Sequence, residues 1–308
     1  MQEIYQKTLS KPVSFEGIGL HTGKKSFVKV LPAEENSGIT FKRTDLENNN
    51  LIKANFSNVS SARLCTTLEN NYGVKVSTVE HLLAALYISG IDNAIVEIDS
   101  EEVPIMDGSS KDFLDVIKNV EKIDQPKKRN YLKIINKIEL VDGIRKISIE
   151  PHNSSLEVSF QLNYENKIIG KQNNTINFQS DNLNEVSSSR TFCLFEDIEK
   201  IKKFGLAKGG SLENAVVVDN DKVLNEGGLR NNKEFVNHKI LDLAGDFLLS
   251  GYRIIGKVFC HQGGHQLTNL FLRKIFASKN VFQIISQKDF KVSKKFHSKD
   301  LEKLAVNA

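Results

Sequence analysis

The chain has 308 residues, 40% of them apolar and 26% charged, with a formal net charge of +4. The length allows two ordinary domains, and the composition is that of a soluble globular protein. A small charge without a basic block argues against nucleic acid as main partner, while suiting an anionic small substrate. Cys65, Cys193 and Cys260 form no C-x-x-C pair and read as reduced thiols in a cytosolic protein. Met1 to Ser10 contains no apolar core of signal-peptide length. No run approaches the roughly 18 apolar residues of a membrane helix. A soluble, cytoplasmic protein is expected.

Residues 1 to about 60 show period-two strand signal, as in Ser26 to Leu31 and Gly38 to Phe41. His21, in a glycine-rich turn with no phosphate-loop spacing, reads as structural. Ser77 to Gly90 reads as a helix capped by Ser77 or Thr78, with Leu82, Leu83, Leu86 and Tyr87 on its buried face and Gly90 at its end. Glu80 and His81 fall in its first turn. Ser77-x-x-Glu80 matches a capping box, which accounts for Glu80 without chemistry. His81 has no such role, and a helix N-terminus favours the neutral imidazole that ligates metal. A strand at Ile91 to Ile98, a turn at Pro104 to Ser109 and a helix through Asp112 to Ile117 follow. The charged, proline-interrupted stretch Glu121 to Asn130 marks the domain boundary, giving domains 1–125 and 126–308.

The second half predicts strands at Tyr131 to Val141, Ile144 to Glu150 and Leu156 to Leu162, a helix near Glu196 to Phe204, and a strand at Ala215 to Val218. Apolar residues at three- and four-residue steps from Phe235 to Leu248 give an amphipathic helix. His238, Asp242 and Asp246, four apart, share one of its faces. Such a column can supply two metal ligands from a rigid element; the plainer reading is an exposed His/Asp pair worth about a few tenths of a kcal/mol. Tyr252 to Cys260 reads as a strand, His261 to His265 as a flexible turn, and Gln266 to Ala277 as a helix. His265 sits at that corner, where side chains with chemical roles often project. Lys291 to Ala308 is a polar, solvated end. Strand-rich openings followed by helices in both halves suggest two related α+β units.

These segments hold the ingredients of a hydrolytic metal site, but spacing alone does not select them over His152 or Asp219. The motifs add specificity: Gly17-Ile-Gly-Leu-His-Thr-Gly23, Ser77-Thr-Val-Glu-His-Leu82, Gly90-Ile-Asp-Asn93 and Pro104-Ile-Met-Asp-Gly-Ser109 come first. Ser189-Arg-Thr-Phe192, Gly209 to Val217, Val223-Leu-Asn-Glu226, His238 to Asp246 and Gly264-His265 follow. In this order and along essentially the whole chain, they resemble the bacterial UDP-3-O-acyl-N-acetylglucosamine deacetylase family, zinc enzymes that commit lipid A synthesis. The resemblance implies two α+β domains, each a layered sheet and helix sandwich, with the active site between them.

The resemblance also implies a Zn2+ ion on His81, His238 and Asp242, although affinity order alone does not exclude iron. It makes Glu80 the general base, His265 its positively charged partner and Asp246 the carboxylate that orients His265. Thr191 falls on a hydroxyl beside the reacting carbonyl and Lys239 on a substrate contact. The resemblance further implies a hydrophobic acyl-chain passage walled by an insert around 192–217, with Phe192, Ile198, Leu206, Gly210, Ser211, Leu212, Ala215 and Val217 as candidates. The run Gln266-Leu-Thr-Asn269 departs from the family's pattern and leaves fine contacts open. The expected partner is UDP-3-O-acyl-N-acetylglucosamine, bound by a monomer. Two competitors are a binding protein whose zinc is closed by a fourth ligand such as Cys65, and a zinc peptidase. The peptidase's H-E-x-x-H motif is absent from the sequence.

Overall fold

A computed structural model describes residues 3–286; the tail read at Lys291 to Ala308 lies outside the described residues. The period-two segments of the first half form a five-stranded sheet in the order Val13–Ile18, Lys25–Pro32, Ala94–Ile98, Ile39–Arg43, Leu51–Lys53. Alternation along these strands buries Val28, Val30, Phe41, Val96 and Ile98. Helices α1 (Glu80–Ile88) and α2 (Lys111–Lys118) join this core, with Phe113 of α2 edge-on to Phe15 at 5.0 Å. Every residue of α1 but its last is buried, as suits a helix apolar on most sides.

In the second half, Arg253–His261 is the spine of a seven-stranded sheet. It pairs in parallel with Tyr131–Ile134 and Leu156–Asn163, and antiparallel with Arg145–Glu150. A short helix α3 (Asn184–Ser187) leads to Phe192–Leu194, which pairs in parallel with Val216–Asp219; helix α4 (Phe195–Lys203) lies on the connection between them. Helices α5 (Glu234–Leu248) and α6 (His265–Ala277) pack on the large sheet. Helix α5 also packs along α1, so the two buried helices meet in the middle of the molecule. Both halves are therefore α+β.

Several strands escape periodicity. The run read as one strand from Tyr131 to Val141 is two, Tyr131–Ile134 and Ile138–Asp142, in separate places in the sheet. Lys171–Asn177 is almost wholly polar, yet it is a strand paired with Leu156–Asn163. The charged stretch at Glu121 to Asn130 is not irregular chain: Lys122–Lys128 pairs antiparallel with Tyr5–Leu9. Their register slips between Tyr5 and Lys7, opposite the stretch that carries Pro126, where a missing N–H is tolerated.

Candidate active site

Helix α5 sets His238 and Asp242 one turn apart on one face, and α1 brings His81 to meet them. His81 Nε2 and His238 Nε2 lie 3.4 and 3.3 Å from the same Asp242 oxygen, Oδ1. One donor atom from each of the three buried residues lies within 4.8 Å of the others. His238 Nδ1 is 3.0 Å from the Ser189 carbonyl, which places the proton on Nδ1 and leaves Nε2 with its lone pair toward Asp242. Burial drives His238 down to about 3 despite the Asp242 carboxylate, so its ring is neutral. Burial also works against the Asp242 carboxylate, but the Lys239 ammonium at 2.8 Å, the contact with His81 and the charged His265 outweigh it and hold it well below the usual range.

These residues fit a metal ion on two observations. Asp242 Oδ1 is buried without a hydrogen-bond partner, a costly state for an ionised oxygen unless a cation faces it. Its separations from the ring nitrogens exceed the about 2.7–2.9 Å of a charge-assisted hydrogen bond. They match instead the about 3.3 Å between ligands bonded at roughly 2.0–2.1 Å to one tetrahedral ion.

Beside this cluster lie Glu80, His265 and Asp246, all buried. The capping-box explanation of Glu80 does not hold. Helix α1 begins at Glu80 itself, Ser77 Oγ donates to the Glu101 carbonyl, and Thr78 sits at φ +56° with its hydroxyl on Glu102. Glu80 Oε2 accepts the Thr66 N–H at 3.0 Å, and Oε1 is 3.7 Å from His265 Nε2. Burial pushes the Glu80 carboxyl up, against the pull of His265 and His81. His265 Nδ1 donates to Asp246 Oδ2 at 2.8 Å. Burial opposes a charge on His265, but Asp246 and then Glu80 outweigh it and raise the ring to about 10, so it is an imidazolium at neutral pH. The corner expected to be mobile at His265 is instead fixed. His265 is the first residue of α6, 8% exposed and tied to α5.

Lys239 Nζ pairs with Asp242 Oδ2 and stands 5.6 Å from the centre of the Phe192 ring. The Thr191 backbone is clamped at both ends, its N–H on Gly108 and its carbonyl accepting from Val216 N–H at 2.7 Å. Thr191 is one of the residues that line an apolar cavity of about 350 Å³. Phe192, Ile198, Gly210, Ser211, Leu212, Ala215 and Val217 line that cavity; Leu206 does not. Leu64, Cys193 and Phe195, which are not among the expected residues, also line it, as does His21, whose turn reads as structural in the sequence. Two clefts of about 290 and 380 Å³, both lined by Arg129 and Arg253, hold none of the expected site residues.

Residues 6–277 match the family model of LpxC, UDP-3-O-acyl N-acetylglycosamine deacetylase. The chain belongs to this family. It is 40% identical to the UDP-3-O-acyl-N-acetylglucosamine deacetylase of Shewanella violacea over 286 residues, covering 92% of this chain and 93% of the relative. The protein of the same name from Syntrophotalea carbinolica is 41% identical over 283 residues, covering 92% and 91%. That of Actinobacillus pleuropneumoniae is 38% identical over 291 residues, covering 93% and 94%. The deacetylase family has a two-domain α+β fold, and this chain is α+β in both halves. Among the described residues, no helix is long and apolar enough to cross a membrane.

Proposed function

We propose that the protein hydrolyses the 2-acetamido group of UDP-3-O-acyl-N-acetylglucosamine at a zinc ion held by His81, His238 and Asp242. The products are acetate and the free 2-amino sugar nucleotide, still carrying its 3-O-acyl chain, in the committed step of lipid A biosynthesis. The observation that carries the reading is a donor set of suitable spacing beside a buried carboxylate and a buried, charged histidine, in a chain belonging to this deacetylase family.

An acetamide is a weak electrophile and water a weak nucleophile; bound zinc supplies Lewis-acid polarisation of the carbonyl and acidification of water. Glu80, whose affinity for a proton is raised by burial, accepts the proton of the attacking water. The His265 imidazolium, charged and oriented by Asp246, faces the negative charge that develops and returns a proton to the departing amine. Thr191 offers its hydroxyl to the same developing charge, and Lys239 contacts the substrate. The cavity beyond Thr191, apolar and lined from the 192–217 insert, takes the acyl chain.

A closed, structural metal site needs a fourth protein ligand. Cys65 is the candidate on the adjoining segment, but among the described residues the donor atoms that share the cluster are those of His81, His238 and Asp242, while the Cys65 sulfur lies 3.9 Å from the Thr67 hydroxyl. A set of three protein ligands leaves a position for water, which supports the open, hydrolytic reading. The three free cysteines suit a cytoplasmic setting.

Mass spectrometry of the sugar nucleotide after incubation with the protein tests the reaction. The expected product lacks the N-acetyl group and retains the O-acyl chain. Loss of the O-acyl chain, or unchanged substrate, overturns the assignment. Metal analysis of the active protein decides between zinc and iron.

A further inference from the structure

Thr66 lies outside the proposed ligand and proton-transfer set, yet it touches both arms of that set. It is 2% exposed and immediately precedes the short strand Thr67–Glu69. Its N–H donates to Glu80 Oε2 at 3.0 Å, and its Oγ1 donates to Asp246 Oδ1 at 2.6 Å. Its carbonyl accepts the Val79 N–H at 3.4 Å, which anchors Thr66 to the residue before α1. One residue thus joins the first turn of α1 to the column of α5.

The division of oxygens gives this contact its consequence. Asp246 uses Oδ2 for His265 Nδ1 and Oδ1 for the Thr66 hydroxyl, so the plane of its carboxylate is set by two partners on different segments. Glu80 uses Oε2 for the Thr66 amide and turns Oε1 toward His265 Nε2. Both carboxylates are buried, and a short hydroxyl-to-carboxylate bond is among the stronger hydrogen bonds available there. Without the hydroxyl, Asp246 Oδ1 is a buried acceptor with nothing to accept, and the carboxylate is free to turn with His265 following it.

We infer that Thr66 is a positioning residue for the hydrolytic reaction, its hydroxyl setting Asp246, and through it His265, in register with Glu80. The inference rests on the proposed roles of Glu80, His265 and Asp246. Outer hydrogen-bond partners of this kind are typically worth about 10–100-fold in activity. The backbone N–H on Glu80 is kept by every substitution except proline, so the side-chain variants isolate the bond to Asp246.

Thr66→Val keeps the shape and removes the hydroxyl, whereas Thr66→Ser keeps the hydroxyl and removes a methyl group. A positioning role predicts kcat lowered about 10–100-fold in Thr66→Val, with KM and bound metal unchanged, and kcat close to wild type in Thr66→Ser. A role in packing alone predicts the reverse order. Wild-type kcat in Thr66→Val, or an equal loss in Thr66→Ser, overturns the inference. Should Thr66→Val not fold, Thr66→Ala against Thr66→Ser makes the same comparison, since these differ only in the hydroxyl; equal kcat values overturn the inference. His265→Gln is measured alongside. Full activity in that variant defeats the underlying reading, whereas a slow His265→Gln beside a fast Thr66→Val defeats the role of Thr66 alone.

Discussion

Gly245 of α5 lies against the carbonyl of Glu80 so closely that a β-carbon built on it meets that oxygen at 2.1 Å. The two helices that carry the proposed metal ligands touch backbone to backbone at this point. Glycine here serves close approach rather than an unusual backbone angle, since Gly245 lies within a regular helix. The contact sets how far His81, next to Glu80, stands from His238 and Asp242.

Gly245→Ala therefore forces α1 and α5 apart. Overpacking of a fitted interior costs about 1–3 kcal/mol, and the opposing atom here is backbone, which yields less than a side chain. The variant is expected to melt at lower temperature and to bind metal more weakly. Thermal unfolding and metal titration check this, and wild-type values in both would show that the helix spacing has slack.

Glu80→Gln preserves shape and removes the proton acceptor. General-base catalysis is worth roughly 10²–10⁴-fold, so kcat should fall by that order while bound metal stays stoichiometric. Near-wild-type turnover would take Glu80 out of the proton path.

The charge on His265 has a sign that can be tested in the apoprotein. Asp246 and Glu80, overcoming burial, raise its folded pKa from the ordinary 6.5 to about 10. A group raised on folding stabilises fully below its unfolded pKa, and this contribution is lost as pH rises through the folded value. The stability difference between wild type and His265→Gln should thus be widest below about pH 6.5 and narrow toward pH 10. Unfolding at several pH values in the presence of a chelator measures it. A gap that widens with pH would mean that His265 is neutral in the folded apoprotein.

Ala215 is buried in the wall of the apolar cavity. Ala215→Leu should fill part of it and shorten the preferred acyl chain. Each methylene denied burial costs about 0.8 kcal/mol, or roughly fourfold in kcat/KM. Competition between long- and short-chain substrates reads this out; an unchanged preference would place the chain elsewhere.

Parts of this centre are legible in the amino-acid order because their causes are local. The four-residue step from His238 to Asp242 to Asp246, on a helix with a clear apolar stripe, puts them in one column without further information. His81 is different: nothing nearby in the chain says that it meets α5, and only the motif resemblance selected it over His152. Ser77 and Glu80 carry the residue types of a capping box, yet the helix begins at Glu80 and each side chain finds a distant partner. Thr66 left no signal, because its partners lie 14 and 180 positions away. Likewise, Lys171–Asn177 owes its strand geometry to the pairing of Leu156–Asn163 rather than to its polar side chains. What periodicity misses is what tertiary contact creates.

The most direct test of the account is acetate release from UDP-3-O-acyl-N-acetylglucosamine by purified protein before chelation, after it, and after zinc is restored, with His238→Ala in parallel. Steady release of acetate is expected, with its loss on removal of the metal, its return with zinc, and neither activity nor tightly bound metal in the variant. Acetate release that survives chelation, or a His238→Ala protein that keeps full metal and full activity, would contradict it.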